Sequence, residues 1–239
     1  MTAGAPGSVD GPAPVEAGHE LLVRLAGRLP DDLLWRLRDW LAAGARDSVD
    51  AVLPRALLRH RLGLTDHERD LLARCVDERS RSRRLVDAIL PIAELDEPCT
   101  AFAAGHGLPD LAALSATSVV AGHPGVEELR QSLRGYREER RRNEHGHRGE
   151  QRVLLVLGAD RPWELTATLQ RLLRVHGDRT PCVEVLPLEM DVPAYHQAAF
   201  VGSVTLWAAP AHPADAAPVP GQEAGAPATG TLSGALTGT

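Results

Sequence analysis

Lysine is absent from all 239 positions, so the 26 basic side chains are arginines. That absence excludes the P-loop, whose lysine reaches the β- and γ-phosphates of a bound nucleotide. Together with abundant Ala, Gly and Pro, it reads as the codon bias of a high-GC bacterial genome. No arginine cluster therefore counts as functional on composition alone. Aromatic residues make up only 3% of the chain, which leaves a core of leucine, valine and alanine. Cysteine is also scarce. Cys75, Cys99 and Cys182 are odd in number and widely spaced, which excludes a disulfide framework and fits buried thiols in a reducing compartment. Long hydrophobic runs are missing: Val153–Leu157 is far too short to span a bilayer. The first residues have neither a basic start nor an apolar stretch, so no secretory signal is expected and the expected location is cytoplasmic. The net charge of −6 argues against a surface adapted as a whole to nucleic acid.

What is present divides the chain into four parts. Residues 1–15 and 209–239 are small residues and prolines without periodicity, too poor in apolar surface to offset the entropy of ordering, and are expected to be disordered. Residues 16–95 carry helical spacing throughout, and residues 96–208 alternate strand-like with helical runs. The two central parts are expected to pack on each other.

In the helical part, Leu21, Leu22, Leu25 and Leu29 form one stripe. Pro30-Asp31-Asp32 opens a second helix whose Leu33, Leu37, Trp40 and Leu41 share a face, with Trp35 off that face. A third helix carries Val49, Val52, Leu53, Leu57 and Leu58, and Pro54 is expected only near its first turn. Thr65-Asp66-His67-Glu68 is a capping box that starts a fourth, with Leu71, Leu72, Cys75 and Val76 facing inward. A fifth runs from about Leu85 to Leu90 and stops before Pro91.

Beyond residue 96, Arg152–Leu157 is the strongest strand. Its unbroken Val/Leu run suggests burial on both faces, as in a parallel sheet. Cys182–Leu186 and Val204–Trp207 are further strands, separated by a helix opened by Pro162 and stopped by Gly177, and by a short one near Tyr195. Thr100–Ala103 and Thr117–Val120 are weaker strand candidates, flanking a short helix over 109–114. Val126, Leu129, Leu133 and Tyr136 fit a long helix ending in Arg140–Arg142. The expected fold is α/β: about five helices packed on a small, mostly parallel sheet of three to five strands.

In an open parallel sheet, ligands bind beyond the carboxyl ends of the strands. That rule selects the loops holding His106, His123, Asp160, Arg161, Glu189 and Asp191, which would share one edge if all five strands form. Glycines there let a backbone approach a ligand, arginine grips anions, and histidine with carboxylate moves protons. The same residues also serve as turns and caps: Asp160 before Arg161-Pro162 suits a helix N-cap. Glu144-His145-Gly146-His147 has no third ligand nearby and follows a run of arginines, so solvated histidines are expected rather than a metal site. In Arg134–Arg142 the intervening glutamates fit a salt-bridged, solvated helix. Tyr195-His196 is a proton-transfer candidate if the sheet edge forms a pocket. No GxSxG elbow, HExxH or kinase signature occurs.

Leu64-Thr65-Asp66-His67-Glu68-Arg69-Asp70-Leu71-Leu72 resembles the opening of the helix-turn-helix in LuxR-type response regulators. That resemblance covers nine residues and implies a recognition helix in the following segment. The segment reads Asp77–Arg84, however, without a glycine at the turn. The favoured expectation is a non-catalytic regulatory or protein-interaction module with a protein partner. A small-molecule or nucleotide-binding or hydrolytic α/β protein using the loops above is the alternative. A DNA-binding regulator acting through residues 49–90 is third. No cofactor is specified.

Overall fold

Proline at the first helical position and a Glu16 carboxylate accepting from the Ala13 N–H (2.9 Å) start α1, Pro14–Arg24. In this computed structural model, which describes residues 13–77, 82–94, 100–105, 109–136 and 150–210, four more helices follow. α2 (Asp31–Ala42) carries Asp31 and Asp32 in its first turn, where carboxylates complement the helix dipole. α3 (Arg46–Arg59) begins well before Pro54, so the proline sits inside the helix and deprives the Asp50 carbonyl of its usual N–H partner. The expectation of a proline near the first turn was wrong. Burial of Val49, Leu53, Ala56 and Leu57 around Pro54 sustains the helix despite that loss.

α4 (Asp66–Cys75) starts at the capping box: the Glu68 N–H donates to Thr65 Oγ1 (3.3 Å), and the Thr65 N–H to Glu68 Oε2 (3.0 Å). α5 (Arg83–Asp87) is a short turn of helix. Leu21, Leu22, Leu25, Leu37, Leu53, Leu57 and Leu72 form the core of this bundle.

The sheet has five strands: β1 (Thr100–Ala103), β2 (Glu128–Tyr136), β3 (Gln151–Leu157), β4 (Cys182–Leu186) and β5 (Ser203–Ala208). β4 pairs parallel with β3, and β3 pairs antiparallel with β2. The other edge of β2 is shared. β5 lies antiparallel along residues 128–132, and β1 along 133–136. Only β2 runs against the rest.

α6 (Leu111–Ala121) and α7 (Pro162–Val175) cover one face, over Leu154, Val156, Val183 and Val185. α8 (Ala194–Val201) covers the other, where Ala199 and Phe200 meet Val153, Leu155 and Cys182. The fold is α/β with a mixed sheet. No helix among the described residues is long and apolar enough to cross a membrane.

Two expected elements are also overturned. Thr117–Val120 belongs to α6, because Asp110 caps the helix by accepting from the Ala113 N–H (2.9 Å) and an alanine-rich turn follows. Conversely, Val126–Tyr136 is largely strand, not helix. Its polar residues find distant partners that periodicity does not reveal. Ser132, fully buried, donates to the Gly202 carbonyl (2.5 Å), and Arg134 donates to Tyr195 Oη (2.9 Å). With β2 reversed, the sheet is mixed rather than mostly parallel. Cys99, His106, the arginines and histidines of 137–149, most of residues 1–15 and the tail from 211 lie outside the described residues.

Candidate functional site

Leu157 ends β3, and the chain turns at Gly158, whose positive φ (+76°) suits glycine. Its N–H donates to the Leu186 carbonyl (2.8 Å), and the Asp160 N–H to the Pro124 carbonyl (3.3 Å). A Cβ at Gly158 would stand 2.2 Å from the Gly125 carbonyl oxygen and 3.5 Å from Leu188. Three of the loops selected from sequence therefore do converge, although the one with His123 follows a helix instead of a strand.

Their side chains do not form a constellation. The His123 ring nitrogen Nδ1 lies 3.0 Å from the carbonyl of Pro124, its own neighbour. Arg161 is exposed and donates to Glu164 (2.9 Å) in the first turn of α7. Asp160, Glu189 and Asp191 are exposed to solvent. Asp160 is not the N-cap either: that position falls to Arg161, which makes no side-chain cap bond. What brings these loops together is backbone packing.

The strongest electrostatics lie elsewhere, at the outer edge of β4, where side chains from α1, α2 and α8 meet it. Arg38 of α2, 2% exposed, donates from both terminal nitrogens to Glu184 of β4, at 2.9 Å to Oε1 and 2.6 Å to Oε2. Its Nη1 also donates to the Val183 carbonyl (2.7 Å), and its Nη2 to the Leu22 carbonyl (3.0 Å). His196 of α8 lies 3.0 Å from Glu184 Oε2 through Nε2. Since an ionised carboxylate only accepts, Nε2 carries that proton, and the buried Nδ1 has no partner. His19 of α1 meets the Val185 carbonyl at 2.9 Å.

Gly158 bonds to Leu186, so alternate carbonyls of β4 face β3, while those of Val183 and Val185 point outward. Arg38 and His19 therefore occupy the acceptors of an open strand edge.

Burial would raise the Glu184 carboxyl, but the Arg38 guanidinium and the His196 ring outweigh it and hold the group down at about 2. Burial lowers His19 to about 4, so its ring is neutral at pH 7. Next to this cluster, Arg134 pairs with Asp31 and with Tyr195, whose phenol burial pushes up. Cys182 is likewise pushed up by burial. Tyr195 and His196 are buried, and their contacts with the bundle core and with Glu184 join the bundle to the sheet.

Sequence reasoning missed Arg38, Glu184 and His19. Each leaves one signal: a charged or polar residue inside an apolar stripe, as in Leu34-Leu37-Arg38-Leu41 or Cys182-Val183-Glu184-Val185-Leu186.

A polar cleft of about 320 Å³ opens at the opposite, amino end of β3, lined by Asp110, Gln151, Arg152, His176 and Asp178 among others. Arg152 grips the Asp110 carboxylate through both terminal nitrogens. Burial raises that carboxyl, and the bonds from Arg152 and from the Ala113 N–H bring it below its ordinary value. Gln151 donates to the Thr180 carbonyl (3.2 Å). Among the described residues no group of three or more His, Cys, Asp or Glu is placed to hold a metal ion.

Fold and cluster together define an α/β protein whose mixed sheet has one edge covered by a helical bundle. Comparison with known protein families, with curated proteins and with solved structures found no match.

Proposed function

We propose that this chain is a non-catalytic protein-interaction module. Its docking face is the outer side of α6 together with the carboxyl end of α7. One observation carries the reading: Leu111 and Leu114 of α6 are 69% and 53% exposed, and Val175 at the end of α7 is 85% exposed. Ser115 lies 3.2 Å from His176 through their side chains, which ties these two exposed apolar segments into one surface. Trp35 does not extend that surface, since the Arg174 guanidinium lies over its ring at 4.5 Å. The strongly perturbed groups favour the same reading. Those around Glu184, His19 and Tyr195 are buried where the bundle meets the sheet and are spent on joining the two layers.

The test is a double substitution, Leu111→Glu with Leu114→Glu, used as bait beside the unaltered chain in native lysate. Loss of a specific partner by the variant, with circular dichroism unchanged, is the expected result. A partner retained by both baits, or a surface that only pairs two copies of this chain in sedimentation, overturns it. The polar cleft at the amino end of β3 favours a second reading, a small polar ligand held by Arg152 and Asp178. The DNA-binding reading draws less support, because α5 is only five residues long and too short for a recognition helix.

A further inference from the structure

A second, apolar pocket of about 150 Å³ lies within the bundle, between the start of α1, the end of α2 and the first turns of α3. Val15, Leu41, Val49 and Cys75 supply apolar walls, and Arg46 and Asp50 also line it. Asp50 is only 7% exposed. Its Oδ2 accepts from the Asp77 N–H (3.1 Å), while its buried Oδ1 has no partner. A buried carboxylate oxygen without a donor is costly and calls for a partner, which a bound molecule can supply. Arg46 lies four residues earlier on α3, hence on the same helical face, and is exposed. It acts on Asp50 through space, and no ion pair joins the two among the described residues.

The pocket is thus lined by a buried carboxylate with one unpartnered oxygen, by an exposed arginine for which no ion pair is seen among the described residues, and by hydrocarbon. Burial first, and then Asp50, push the Cys75 thiol up to about 11, so it is an uncharged wall and not a nucleophile.

We propose that this pocket binds a small aliphatic α-amino acid, with its ammonium on Asp50 Oδ1, its carboxylate on Arg46 and its side chain among Val15, Leu41, Val49 and Cys75. The volume matches that of a dry protein cavity known to take a benzene-sized hydrocarbon, about 150 Å³, which a leucine side chain does not exceed. A plain amine would leave Arg46 unused, and a plain carboxylate would leave the buried oxygen of Asp50 unpaired. This site is separate from the docking face on α6 and α7, so either can fail without the other.

Titration of the full chain with L-leucine, followed by calorimetry and thermal shift, tests it. Isopentylamine lacks the carboxylate, 4-methylpentanoate lacks the ammonium and glycine lacks the side chain. Leucine is expected to bind saturably and raise the melting midpoint, with each of the other three at least about tenfold weaker. Asp50→Asn keeps an acceptor for the Asp77 N–H but loses the charge, and Arg46→Met loses the cation; each is expected to weaken leucine by about tenfold or more. The proposal is overturned by absence of saturable leucine binding, by a truncated probe binding as tightly as leucine, or by Arg46→Met binding leucine unchanged. Because Arg46 is exposed, that last variant decides the matter even if Asp50→Asn fails to fold.

Discussion

Arg38 reaches Glu184 across 146 positions of sequence, and neither side chain has an alternative partner in water. Replacing Arg38 with Met strands a buried carboxylate with only His196 beside it. A loss of about 3–5 kcal/mol is expected from urea denaturation, the usual cost of breaking one side of a buried pair. Arg38→Met combined with Glu184→Leu removes both charges and is expected to recover part of that loss. A double variant as unstable as the sum of the single ones would show that the two side chains do not act together.

The same cluster sets a pH dependence. His19 falls from an ordinary value of 6.5 to about 4 in the folded protein, so between those values the unfolded chain binds the extra proton. Stability is therefore full above pH 6.5 and declines as pH falls towards 4, by about 3 kcal/mol for this group. Glu184 falls from 4.5 to about 2, and its contribution, also about 3 kcal/mol, is lost between those values. Denaturation midpoints measured from pH 7 to pH 3 should fall in that order. His19→Gln is expected to flatten the part between pH 6.5 and 4, and an unchanged slope there would refute the assignment.

At the scale of elements, the crossing of Gly158 and Gly125 fixes how the loops meet at the carboxyl end of β3. Gly158→Ala forces a methyl to within 2.2 Å of the Gly125 carbonyl and is expected to cost well over the roughly 1 kcal/mol of left-handed strain. Gly177→Ala is the control: its φ is also positive (+95°), but nothing stands within 4 Å, so strain alone applies. Equal thermal shifts for the two would contradict the close approach.

Local elements were legible where cause and effect lie a few residues apart. The Thr65–Glu68 box needs only residues three apart, and the Val/Leu run of β3 declares its own burial. β2 was not legible, because its register is set by β1, β3 and β5, and the spacing of Leu129 and Leu133 fits a helix equally well. Likewise Asp110 caps α6 in a stretch where Thr117, Val119 and Val120 favour a strand by propensity. Three of the candidate loops meet at the sheet edge, and they meet through backbone packing rather than through the side chains that selected them. The buried ion cluster stayed hidden, since its members come from α1, α2, β4 and α8.

Across the whole molecule, bundle and sheet are joined by charge and by ring contacts. Trp35 of α2 lies beneath Arg174 of α7, and Tyr195 of α8 packs into the bundle core. The described part is expected to unfold in one step. Trp40 and Trp163 pack against the bundle core and report on it, and Trp207 reports on the sheet side. Fluorescence of single-tryptophan versions and far-ultraviolet circular dichroism should give coincident transitions, and separated midpoints would show that the layers melt independently.

The outward carbonyls of Val183 and Val185 give the bundle a further role. A fragment beginning at Thr100 would bare a short ribbon margin, apolar but for Glu184, with hydrogen-bond acceptors in a row, an invitation for another ribbon to align alongside it. Such a fragment should assemble into thioflavin-binding aggregates where the full chain stays dispersed. The first five helices then act as a permanent guard against self-templating.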